Sequence, residues 1–156
     1  IVVFYFLFGR GAAGRADAAT LEMVSRIEND YYQDAADASR EFNIPTKRIL
    51  AIIAQESNGA FEAVGLAGER GLMQITRGAL TDYNSAYAVN AKWDQLFEER
   101  LNIFVGTGYL KLLVNNLRDL DTATRAYNVG AANVRNSTTA GADYLQGVKF
   151  YEGLFA

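Results

Sequence analysis

From Thr20 to Phe42 the apolar residues Leu21, Val24, Ile27, Tyr31, Ala35, Ala38 and Phe42 recur at intervals of three or four. That is the 3.6-residue period of a helix with one buried face, kept up for about six turns. A strand buries alternate residues and cannot present this pattern. Thr20 reads as the N-cap of this helix. Asn43-Ile44-Pro45 breaks it, and Pro45 suits the first turn of the next one. That second helix carries Ile49, Ile52 and Ile53 on one stripe and ends near Gly59. Residues 60–72 are glycine-rich and read as loop. Further helices are expected over Leu72–Tyr83, Trp93–Leu117, Thr122–Val129 and Tyr144–Leu154. With no alternating stretch and no internal repeat, the expected class is all-α. At 156 residues the chain is long enough for one domain with a real core.

The composition removes several kinds of chemistry. There is no cysteine and no histidine. Disulfides, thiol nucleophiles, Ser-His and Cys-His catalysis and His-ligated zinc are therefore excluded. The acidic residues near the motifs show no calcium-loop spacing, so no metal and no cofactor are expected. A net charge of −3 leaves no polybasic footprint, which argues against a nucleic-acid partner. Acid–base work must fall to Asp, Glu, Lys or Tyr.

The amino end is different in kind. Ile1 to Phe8 is continuously apolar and gives way to a Gly- and Ala-rich stretch. A membrane-spanning helix needs roughly 20 apolar residues, so this run alone does not span. It reads as the end of an anchor helix or as a segment packed on a membrane or multiprotein assembly. The alternative is the end of a signal peptide, with Ala16-Asp17-Ala18 as an A-x-A site. Residues 1–19 are thus set apart as a head and short linker, and residues 20–156 as the folded domain.

The second helix ends in an unusual way. Ile49, Ile52, Ile53 and Glu56 fall at i, i+3, i+4 and i+7, so one apolar stripe ends in a carboxylate. Apolar surroundings and a helix C-terminus both disfavour the charged form. Both raise the pKa, and a carboxyl still protonated near neutral pH is what a general acid requires. The competing reading is a solvated Glu at a frayed helix end.

Four blocks in order bear on that choice. They are Glu56-Ser57 with Ala63-Val64, Gly68 through Gln74, Asn102-Ile103 followed by Gly106 or Gly108 and Tyr109-Leu110, and Ala126-Tyr127-Asn128-Val129-Gly130. Tyr144 closes the series. Over about Ile44 to Leu154 this pattern resembles the lytic transglycosylase family with the lysozyme-like fold. The resemblance implies a helical domain with a substrate cleft. It also implies cleavage of the β-1,4 bond between N-acetylmuramic acid and N-acetylglucosamine in peptidoglycan glycan strands, with formation of a 1,6-anhydro ring. By the same resemblance Glu56 is the catalytic acid/base. Ser57, Met73, Gln74, Tyr127, Asn128 and Tyr144 are the expected substrate-binding residues. Met73 and Gln74 are expected to line the cleft, Ser57 to hydrogen-bond its loop, and the Tyr127 hydroxyl to meet Glu56 or an N-acetyl group.

The sequence departs from the family pattern at Gly65, where Ser is frequent, and at Glu69, where a small residue is common. Arg77 and Phe61 depart as well, each replacing a frequent Pro. Glu69 reads as a surface residue beside Arg70; the sharper reading is a base that activates water. That would give a hydrolytic muramidase of the same fold. A structural subunit of a membrane or virion assembly is the third reading. The expected location is the periplasmic or cell-envelope side of a membrane, or a phage particle.

Overall fold

A computed structural model of the chain describes residues 15–156. The apolar run Ile1–Phe8 lies outside the described residues. The described chain is helical: α1 (Ala18–Phe42), α2 (Thr46–Ser57), α3 (Arg77–Tyr87), a 3₁₀ turn (Trp93–Phe97), α4 (Glu99–Leu117), α5 (Leu120–Val129), α6 (Ala131–Asn136) and α7 (Ala142–Glu152). Among the described residues there is no strand, only two isolated β-bridges, Val64 with Arg70 and Arg70 with Ile75. No helix among them is long and apolar enough to cross a membrane.

Helix α1 buries Val24, Ile27, Tyr31, Ala35, Ala38 and Phe42, the face its period marks, while Leu21 stays 49% exposed. Its N-cap is Asp17 rather than Thr20: the Asp17 carboxylate accepts the Thr20 N–H at 2.8 Å. Asp at this position satisfies one of the orphan donors of the first turn, and the helix gains three residues, Ala18, Ala19 and Thr20. Asn43 in the left-handed region ends it.

Helix α2 is the axis of the domain. It packs on α1 on one side and α7 on another. Arg48 through Gln55 are all buried, so this stretch of the helix is enclosed on every side and not merely along a stripe. Pro45 stands at its N-cap position. The one cation in its buried stretch, Arg48, is matched by Thr124 at 2.8 Å, Asp121 at 3.0 Å and Glu152 at 2.9 Å. A buried guanidinium needs such partners, because its desolvation is not otherwise offset.

Other boundaries also differ from the sequence expectation, among them α7, which runs Ala142–Glu152 rather than Tyr144–Leu154. Leu72 through Ile75 are turn and bridge, and α3 begins only at Arg77, capped by Thr76, whose hydroxyl accepts the Ala79 N–H at 3.1 Å. The stretch from Trp93 to Leu117 divides at Glu98, whose extended backbone separates a 3₁₀ turn from α4. Helix α5 ends at Val129, as expected, but Gly130 at φ 83° is followed by a short helix, α6, that the sequence reading did not include. The apolar periods survive across these breaks, so periodicity alone does not report them.

Candidate active site

The site is built on the C-terminal end of α2. Three elements clamp that end. Asn58 at φ 53° and Gly59 at φ 75° turn the chain out of the helix. Arg26 of α1 donates to the Asn58 carbonyl at 2.7 Å, and the Tyr31 hydroxyl donates to the Gly59 carbonyl at 3.2 Å. Ser57 is fully buried; its Oγ lies 2.8 Å from the Leu72 carbonyl and 3.2 Å from the Ile53 carbonyl, and it accepts the Gly59 N–H at 3.2 Å. Ser57 therefore ties α2 to the following loop and does not reach the cleft.

Glu56 is the residue that this arrangement leaves half-buried at the end of a buried helix. The hydroxyl of Tyr144, from α7, donates to Glu56 Oε1 at 2.5 Å. Burial pushes the Glu56 carboxyl up to about 7; the Tyr144 hydrogen bond opposes this, and the negative charge of Glu69 adds to it. Burial likewise raises the Tyr144 and Tyr127 hydroxyls well above their ordinary range, so both stay protonated donors at neutral pH.

A cleft of about 540 Å³ opens over Glu56. Gln55 and Glu56 form its floor, Val64 to Ala67, Glu69, Gln74 and Thr76 one wall, and Tyr127, Asn128, Asp143 and Tyr144 the other. The first wall is a folded-back loop held by backbone bonds: Gly65 N–H to the Glu69 carbonyl at 2.8 Å, and Ile75 N–H to the Arg70 carbonyl at 2.9 Å. Buried Asn102 of α4 fastens this loop from behind. It accepts the Met73 N–H at 2.8 Å and donates to the carbonyls of Arg70 at 2.9 Å and Leu96 at 2.7 Å.

Five of the seven residues singled out in the sequence thus line one cleft: Glu56, Gln74, Tyr127, Asn128 and Tyr144. Two do not. Ser57 lies beneath the helix end, and Met73 is fully buried core. The Met73 side chain is seated against Gly106 of α4, where any Cβ would come within 2.5 Å of its Sδ. Its backbone carbonyl, not its thioether, serves the site, accepting the Tyr127 hydroxyl at 2.9 Å. So Tyr127 meets the loop and Tyr144 meets Glu56, which exchanges the partner expected for Tyr127. The Gln74 amide nitrogen is spent on the carbonyls of Gly71 at 2.9 Å and Ala63 at 3.2 Å.

The cleft also holds residues that the sequence did not single out as binding groups. Gln55 is 6% exposed, and its Oε1 is buried with no hydrogen-bond partner among the described residues. An orphaned acceptor in a cleft floor is an opening for a donor on a ligand. No spacing rule would have found it, because it lies off the apolar stripe. Glu69 is a cleft residue and not a surface partner of Arg70: Arg70 pairs with Asp94 at 2.8 Å and lies over the Trp93 ring at 4.8 Å. Among the described residues no group of three Asp or Glu side chains is placed to hold a metal ion.

The model of the transglycosylase SLT domain matches residues 34–148. The chain belongs to this family. It is 27% identical to the membrane-bound lytic murein transglycosylase E of Buchnera aphidicola, a match covering 74% of this chain and 60% of that protein. It is 31% identical to the membrane-bound lytic murein transglycosylase C of Pectobacterium atrosepticum, over 71% of this chain and 34% of that protein. The chain therefore spans less than two thirds of these relatives' lengths. Among solved structures, the 70-kDa soluble lytic transglycosylase of Escherichia coli superposes with a TM-score of 0.75 at 23% identity, over 85% of this chain and 25% of that one. An inactive mutant of the lytic transglycosylase Slt of Pseudomonas aeruginosa gives a TM-score of 0.69 at 20% identity, over 83% of this chain and 23% of that one. The fold of this SLT domain is accordingly the all-helical, lysozyme-like one.

Proposed function

We propose that this SLT domain is a peptidoglycan lytic transglycosylase with Glu56 as its single acid and base. The observation that carries the reading is the Glu56 carboxyl: half-buried, held up to about 7, hydrogen-bonded on one oxygen by Tyr144 and open to a cleft. With Oε1 taken by the Tyr144 hydroxyl, Oε2 is the oxygen left to carry the proton. The neutral acid protonates the glycosidic oxygen of the bond between N-acetylmuramic acid and N-acetylglucosamine as that bond breaks. The resulting carboxylate, stabilised by Tyr144, then takes the proton from the muramic acid C6 hydroxyl as that oxygen closes on C1. A pKa near the working pH suits a group that must serve as acid and then base.

Two carboxylates are the usual requirement for glycoside cleavage. An internal hydroxyl already held beside C1 has a high effective molarity and removes the need for a second group to activate water. Asn128, the Gln74 carbonyl oxygen and Gln55 Oε1 are the groups placed to bind acetamido and hydroxyl functions of the glycan. The names of the two membrane-bound murein transglycosylase relatives, and of the solved complex of the 70-kDa soluble lytic transglycosylase with bulgecin A, support this reading. Residues from about Thr20 onward form the catalytic unit in this reading. The apolar head Ile1–Phe8 serves location at the cell envelope, against a membrane or an assembly.

The test is digestion of purified sacculi followed by mass spectrometry of the muropeptide ends. Anhydro ends that disappear in Glu56→Gln are the expected result. Reducing ends in place of anhydro ends would make the protein a hydrolase, and full activity in Glu56→Gln would remove Glu56 from the chemistry.

A further inference from the structure

The two departures from the family pattern in the cleft wall, Gly65 and Glu69, are one feature in space. A Cβ built on Gly65 would overlap Glu69 Oε2 and would stand 2.7 Å from Gln74 Oε1. The missing side chain at 65 is what makes room for the carboxylate from 69. The Glu69 carboxylate is fixed there by the Ala67 N–H, which donates to Oε2 at 3.1 Å. Among the described residues no Lys or Arg pairs with it, and none lines the cleft. Arg70, its sequence neighbour, is turned away toward Asp94. A negative charge has thus been built into the wall beside Glu56 and left without a counter-ion.

We infer that Glu69 is a positioning residue for the reaction: seated over Gly65, its charge keeps the proton on Glu56 until the glycosidic oxygen takes it. This rests on Glu56 being the acid, as proposed above. The physical reason is that two like charges in one partly desolvated cleft cannot both be cheap, so the more buried carboxyl holds its proton. Burial of Glu56 is the larger influence and Glu69 adds to it, in opposition to Tyr144. The other titratable groups of the cleft are Tyr127 on α5 and Asp143 and Tyr144 on α7. The two tyrosines are neutral donors at working pH, and Asp143 is exposed at its outer edge. Glu69 is therefore the charge on the loop wall that acts on Glu56.

The experiment reads Glu56 directly. In full-length protein labelled with ¹³C at glutamate carboxyls, the Glu56 resonance is assigned by its loss in Glu56→Gln and titrated in the wild type, Glu69→Gln and Glu69→Asp. The Glu56 midpoint is expected to move to lower pH in Glu69→Gln and to stay near the wild-type value in Glu69→Asp, which keeps the charge. The alkaline limb of kcat/KM on sacculi should move the same way, whereas a merely structural loosening of the loop would lower the rate at every pH and leave the limb in place. Gly65→Ser, whose Cβ displaces the carboxylate, offers the same readout should Glu69→Gln not fold. An unchanged or raised midpoint overturns the inference. So do reducing ends in the wild-type digest that vanish in Glu69→Gln, because Glu69 would then be a water-activating base. A midpoint that moves in a protein with no action on sacculi leaves only the charge coupling of Glu69 to Glu56 standing; it sinks the functional reading, and the role of Glu69 in the reaction with it.

Discussion

Replacing Glu56 by Gln should stabilise the folded protein at alkaline pH while removing its activity. The unfolded chain ionises this carboxyl near its ordinary value of 4.5, and the folded protein near 7. Between those values the folded state binds more protons than the unfolded state, so stability falls as pH rises through that window. Each pKa unit is worth about 1.36 kcal/mol, so the span from 4.5 to about 7 comes to about 3 kcal/mol once pH is above 7. Gln has nearly the same shape and its Oε1 can still accept the Tyr144 hydroxyl, but it does not ionise and escapes this cost. All other titrations are shared by the two proteins and cancel in the comparison. Urea denaturation of wild type and Glu56→Gln at a series of pH values is the assay. Near pH 4 the two should be about equally stable, and near pH 8 the variant should lead by about 3 kcal/mol. Its rate on sacculi should fall at least about 10²–10⁴-fold, as for loss of a general acid. A stability difference that does not change between pH 4 and pH 8 would refute the reasoning, because the carboxyl would then be as easily ionised folded as unfolded.

Tyr144→Phe removes the hydrogen bond that favours the Glu56 anion, so the alkaline limb of the pH–rate profile should move to higher pH and the rate should drop about 10–100-fold, by the worth of a hydrogen bond to a charged group. Ser57→Ala strands the buried backbone groups that Ser57 ties together and should cost about 1–3 kcal/mol in urea denaturation, with residual activity following the folded fraction. Gln55→Leu removes an unpartnered buried oxygen, so stability should hold or rise while KM for glycan increases; an unchanged KM would mean that no substrate donor meets Oε1. A chain beginning at Ala16, which keeps the Asp17 cap, should fold and digest sacculi but no longer sediment with membranes or its parent assembly; unfolding of that chain would place the apolar head in the core.

The sequence alone determined the helical class, because a 3.6-residue apolar period needs no tertiary information to be read, and the buried face of α1 follows it from Val24 to Phe42. It also marked Glu56, since a carboxylate at the end of an apolar stripe is a local contradiction visible in four residues. Only the tertiary structure decided what meets that carboxylate. Tyr144 lies 88 residues away and Tyr127 stands beside it on another helix; both are aromatic residues with a polar tip, and which one turns its hydroxyl to Glu56 depends on how α5 and α7 pack on α2. The same packing took Met73 and Ser57 out of the cleft: a motif records that residues are needed at a position, not whether side chain or backbone is what is used. The break at Glu98 was not legible either, because the extended backbone there leaves the apolar period unbroken. Glu69 shows the limit most clearly. In sequence it adjoins Arg70 and looks neutralised, but Glu69 and Arg70 form a short extended segment between Gly68 at φ 90° and Gly71 at φ 77°, with Arg70 in β-bridges to Val64 and Ile75. Glu69 reaches the cleft and Arg70 reaches Asp94, since adjacent residues in an extended segment point to opposite faces.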